Sequence, residues 1–131
     1  MIVLTSGGEW KVSGIDDVIT PSGIQIEPQT YYGATELPPI VAGDVSGNDI
    51  SILARHMFDN FTIVDWSYAQ APHSIIWCVR DDGTMAAITY IREQEVYGWT
   101  RHTTDGLFKS VASVQEGDND FLYTVVERTI N

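Results

Sequence analysis

Cysteine is almost missing from these 131 residues. Cys78 stands alone, which excludes an intramolecular disulfide and a zinc site built from cysteines. Positive charge is scarce as well: seven Lys+Arg face 18 Asp+Glu, for a formal net charge of −11 at pH 7. Nucleic-acid binding draws on many Lys/Arg–phosphate contacts, and anionic membranes attract the same side chains, so neither partner is expected. No apolar run approaches the ~20 residues of a membrane span, and the N-terminus lacks the basic-then-apolar layout of a signal peptide. Catalytic signatures are missing too. There is no Gly-x-Ser-x-Gly, no Gly-rich loop leading into Lys-Ser/Thr, and no close pairing among His56, His73 and His102. A hydrophobic fraction of 44% is ordinary for a folded domain, and the length suits one. The expectation is a soluble, acidic, single β-rich domain over residues 1–131.

What the chain does carry is alternation at period two, in short segments bounded by turn residues. In Thr62–Tyr68, Thr62, Val64, Trp66 and Tyr68 share a face. Ser74–Arg80 runs into Asp81-Asp82-Gly83, and Thr84–Tyr90 follows at once, which reads as a hairpin on a two-residue Asp-Gly turn. Val96–Arg101, Phe108–Val114 and Phe121–Arg128 complete six strands of an antiparallel meander over residues 62–131. Residues 1–44 form a Pro/Gly-rich hairpin region, with Ile2–Thr5, Glu9–Val12 and Ile24–Glu27 as strands and the prolines marking edges or loops. Residues 45–61 are a helix and its connection. There Ile50, Leu53, Ala54 and Met57 repeat at helical spacing behind an Asn48/Asp49 cap, predicting a short α-helix near residues 49–58 with Phe58 and Phe61 packed under it.

The hairpins also resemble one another. With Gly8 set on Gly83, Val3–Trp10 falls on Cys78–Met85, and Tyr123–Arg128 resembles Ile75–Arg80. Together these read as a chain cut from a longer array of four-stranded units.

Particular runs carry a further likeness: Ile2–Trp10, Ile19–Ser22, Pro28–Gly33, Ile52–Phe58, Trp77–Thr84 and Tyr90–His102, the long stretch from Trp77 to His102 being the most specific. In that order they resemble large tail structural proteins of bacteriophages and prophages, the nozzle and packaged-DNA-stabilisation relatives built from β-propeller domains. The resemblance spans nearly the whole chain. It implies mainly-β, antiparallel meander sheets like propeller blades, a virion location after synthesis in the bacterial cytoplasm, and no enzymatic activity. It also implies tail or portal subunits, or further copies of the chain, as partners. One departure stands out. The family places another hairpin between the Pro38-Pro39-Ile40-Val41 segment and the helix, so this chain reads as a fragment with an internal deletion and an incomplete propeller. Its N-terminal strands are expected to pair with Phe121–Arg128, as propellers close.

Candidate sites resolve toward ordinary roles. Glu93 and Glu95 have the residue type for paired acid–base work, with Asp65 as a further carboxylate, yet a charged loop explains the pair equally well. Asp81 and Asp82 suit a turn, and Glu116, Asp118 and Asp120 lack the closing acid of a calcium loop. No catalytic residue, metal or cofactor is therefore expected. The remaining possibility is contact through aromatics. Trp10, Trp66, Trp99 and Tyr97 are the candidate glycan- or partner-contact residues, and a carbohydrate-binding module is the alternative function to subunit assembly.

Overall fold

A computed structural model describes residues 1–14, 18–31, 33–34, 36–37, 39, 54–91 and 96–130. Among them the fold is mainly β, with three antiparallel sheets. The chain divides into two compact units, one built on Met1–Pro38 and the other on Asp49–Asn131. No described helix is long and apolar enough to cross a membrane.

The first unit is a three-stranded sheet of β1 (Ile2–Thr5), β2 (Gly8–Gly14) and β3 (Ile24–Thr30), in that order. Thr5 pairs with Gly8, so the first hairpin closes on Ser6-Gly7. Backbone bonds between Met1 and Val12 extend the pairing by one position. The register gathers Met1, Val3, Trp10, Val12, Ile24 and Ile26 on one side of the sheet. Of these only Val12 is buried. Pro28 lies in β3, an edge strand, where a missing N–H costs no ladder bond.

The second unit is centred on a four-stranded meander of β4 (Ile63–Ala69), β5 (Ile75–Arg80), β6 (Met85–Ile91) and β7 (Val96–His102). Its two central strands hold the best-buried residues, Cys78, Val79, Ala86 and Ile88. The meander expected over residues 62–131 stops at four strands. β8 (Leu107–Glu116) and β9 (Asn119–Glu127) leave it and form a separate two-stranded sheet. They do so because β8 has an apolar face to bury: Phe108 and Val111 enter one core with Val79 and Met85, flanked by Trp77, Leu122 and Val126. The opposite side of the meander packs Ala86 against Ala54 and Met57, with Phe58 and Trp99 beside them.

That second cluster corrects the expected α-helix. Over its described part the segment is a single 3₁₀ turn, Arg55–Met57, while residues 49–53 lie outside the described residues. The Met57 carbonyl is held by the Arg80 guanidinium at 2.6 Å, and the chain folds back through Phe58–Phe61 instead of continuing to wind. Phe58 packs edge-on against Trp99, and the Arg80 guanidinium sits 3.6 Å over the ring of Phe61.

The central turn differs in detail from the two-residue expectation. Arg80 and Thr84 bracket a three-residue loop, closed by Gly83 N–H to Arg80 C=O at 3.0 Å, with Gly83 at φ 78°. This is a type I turn followed by a left-handed glycine. Propeller-style closure is not formed. β1 pairs with β2, β9 pairs with β8, and no ladder joins the three sheets among the described residues.

Candidate interaction surface

The β8–β9 hairpin is apolar on both sides. Its register sets Val114 opposite Phe121, Ala112 opposite Tyr123 and Ser110 opposite Val125, all on the side away from the core. These outward residues stay in solvent: Phe121 is 49% exposed, Tyr123 52% and Val125 59%, with Val114 and Leu107 similar. The inward set, Phe108, Val111, Leu122 and Val126, is the set that packs on the meander. Strands apolar on both faces are the kind that sit between two layers, and here one layer is in place.

The two edges of the hairpin are treated differently. On the β8 edge, the Val111 N–H donates to Asp65 Oδ2 at 2.9 Å and the Ser113 N–H to Ser67 Oγ at 2.7 Å. Two β4 side chains thus stand in for a neighbouring strand. Because the N–H groups of Val111 and Ser113 point away from β9, these are non-hydrogen-bonded positions of the ladder. Their partners Thr124 and Leu122 must then turn their own N–H groups to the far side, the outer edge of β9. At the hairpin's tip, Asp120 Oδ2 accepts the N–H groups of Gln70 and Ala71, fastening the start of β9 to the end of β4.

Acidic side chains frame the outward face. Glu116 accepts the Tyr123 hydroxyl, and this bond to a carboxylate holds the phenol above its usual pKa. At the other end Glu127 pairs with Lys109 at 2.8 Å. The Gly117-Asp118 loop closes the hairpin, with Gly117 at φ 67°.

The four aromatic candidates divide between the two units. Trp10, Trp66, Tyr97 and Trp99 are all half-buried. Trp10 belongs to the first unit. Trp66 and Trp99 lie on β4 and β7, the outer strands of the meander, about three strand spacings or ~14 Å apart. Trp99 is further covered by Phe58, ring centroids 4.6 Å away.

Glu93 and Glu95 lie outside the described residues. Asp65 is committed to structure, one oxygen taking the Trp66 N–H and the other the Val111 N–H. Asp82 is bonded by the Arg80 guanidinium, which, with Thr84, holds its carboxyl down at about 2. Among the described residues, no group of three His, Cys, Asp or Glu is placed to hold a metal ion. Sequence reasoning missed the capped β8 edge and the outward face. The signal for the latter was the apolar run Phe121–Val126, interrupted only by Thr124, which alternation alone assigns to a one-sided strand.

No protein-family model matches the chain, and no curated protein matches it.

Proposed function

We propose that this chain is a non-enzymatic structural domain that works in subunit assembly, docking another polypeptide on the outward face of β8–β9. The observation that carries the reading is the row Val114, Phe121, Tyr123 and Val125, left in solvent on a hairpin whose other face is a core. The likeness to phage tail and nozzle proteins supplies the setting, a virion with tail or portal subunits as neighbours. In that setting the four-stranded β4–β7 meander is blade-like, and its acidic character keeps the surface from holding DNA.

Two lysines introduced by Phe121→Lys and Val125→Lys test the docking face. In the native wild-type protein the apolar dye anilinonaphthalene sulfonate should bind, and the double variant should lose that signal with its urea unfolding midpoint nearly unchanged. A loss of stability on the scale of a core substitution, more than about 2 kcal/mol, would mean the face is part of the domain's own interior. Mass spectrometry of purified particles tests the virion setting. Stoichiometric peptides of the chain are expected there, and their absence removes that setting while leaving the docking face intact.

A further inference from the structure

The way the two hairpin edges differ, together with the charge around the outward face, specifies an occupant. Resting on the docking role proposed above, we infer that the outer edge of β9 receives a cationic, extended segment of another polypeptide, which adds as a third strand to β8–β9. Three observations combine. The edge of β8 is closed by Asp65 and Ser67, whereas Leu122 and Thr124 direct backbone N–H groups to an edge beyond which no strand lies among the described residues, open past the Asp120 N–H that the Ala71 carbonyl takes at 2.9 Å. An added strand satisfies those groups, and its alternate side chains extend the rows begun by Val114–Phe121 and Ala112–Tyr123. The third observation is electrostatic. Glu116 and Glu127 stand at opposite ends of the outward face, with Asp118 in the adjoining loop and Lys109 as the counter-charge at one end only. On a chain of net charge −11, that frame favours lysine or arginine on the incoming strand, above all beside Glu116 and Asp118, because Glu127 is already paired by Lys109.

The same charges disfavour a second copy of the chain. Antiparallel pairing of two β9 edges about Tyr123 sets Glu127 of one copy opposite Asn119 of the other, and Asn119 is the ladder partner of Glu116. Like charges then gather at both ends of the joint, between two molecules that each carry −11.

The test uses two capped nine-residue peptides, Lys-Thr-Val-Thr-Val-Thr-Val-Thr-Lys and its counterpart with glutamate at both ends, titrated against the whole chain by fluorescence anisotropy. The lysine peptide should bind about tenfold more tightly at low salt, and the gap should shrink to about threefold or less near 0.5 M salt. Thr124→Pro, which removes an edge N–H without touching the β8 ladder, should abolish binding. Should that variant fail to fold, the paired reversal Glu116→Lys with Glu127→Lys, on exposed side chains, replaces it and should invert the preference between the peptides. Equal binding of both peptides, or a preference indifferent to the reversal, overturns the cationic occupant. A dimer seen by light scattering and lost in Thr124→Pro overturns it in favour of a second copy. Binding of neither peptide, with the dye signal still lost in Phe121→Lys/Val125→Lys, overturns strand addition while the docking face survives. Failure of the dye result as well removes both.

Discussion

Asp65 and Val111 are 46 positions apart, and the carboxylate of the first accepts the backbone N–H of the second at 2.9 Å. The bond fixes where β8 lies over the meander, because the same carboxylate also takes the N–H of Trp66 and so cannot swing away from β4. Asp65→Ala leaves both N–H groups without that acceptor and should cost about 1–3 kcal/mol in urea unfolding. Hydrogen exchange gives a sharper readout. The Val111 amide should lose protection in the variant, whereas Thr124, its ladder partner facing the open edge, should exchange quickly in both proteins.

A second relationship ties the irregular segment to the meander. Arg80 is 5% exposed, and its guanidinium bonds the Asp82 carboxylate and the Met57 carbonyl while covering the ring of Phe61. Replacing Asp82 by Asn leaves this buried cation without its counter-charge. Because Asp82 itself is partly in solvent, the expected loss is about 1–3 kcal/mol, below that of a fully buried pair.

The same pair sets an acid response. Arg80, with help from Thr84, lowers the Asp82 pKa from 3.8 to about 2. A carboxyl whose folded pKa lies below its unfolded value adds stability that is complete above about pH 4 and drains away as pH falls through about 2. Thermal unfolding measured from pH 5 to pH 2 should therefore fall more steeply for the wild type than for Asp82→Asn. Parallel curves would remove Asp82 from the acid response.

Much of this fold is legible as alternation and turn chemistry. Thr62–Tyr68, Ser74–Arg80 and Phe121–Arg128 each meet an observed strand within a residue or two, since period two and β-branched or aromatic residues are local properties. Pro28 likewise lands on an edge strand. What is not legible depends on distant partners. The apolar spacing of Ile50, Leu53, Ala54 and Met57 reads as helical, yet Arg80 takes the Met57 carbonyl and the chain turns back. The departure of β8 from the meander depends on Asp65 and Ser67, polar residues whose alternation looks like an ordinary solvent face until Val111 and Ser113 are placed beside them. The outward face was hidden for a related reason. Phe121, Tyr123 and Val125 look like core until Leu122 and Val126 are seen to occupy it.

Gly83 gives a test of the turn. Its φ of 78° suits glycine, its carbonyl accepts the Phe108 N–H at 2.9 Å, and an added Cβ would lie 2.6 Å from Leu107 Cδ2 and 2.7 Å from Leu107 Cβ. Gly83→Ala thus strains the loop and pushes on the first residue of β8. The expected cost is about 1–3 kcal/mol. Gly117, also at positive φ (67°), has nothing within 4 Å of an added Cβ, so Gly117→Ala should cost only the backbone strain and destabilise less. Equal losses at the two positions would show that contact with Leu107 is not what Gly83 protects.

Cys78 offers a probe of the meander's interior that needs no substitution. It is 2% exposed in a central strand opposite Ala86, and burial pushes its thiol up to about 12. Thiolate is the reactive form, so in the folded protein at pH 8 the sulfur is both inaccessible and protonated. Modification by a thiol-reactive disulfide reagent should be negligible without denaturant and should rise with urea in step with the unfolding transition. If labelling outpaces that transition, β5 opens locally ahead of the rest of the sheet. The Asp65→Ala variant then separates two origins for the opening: faster labelling there would trace it to loss of the β8 cover, and an unchanged rate would trace it to the side facing Ala54 and Met57.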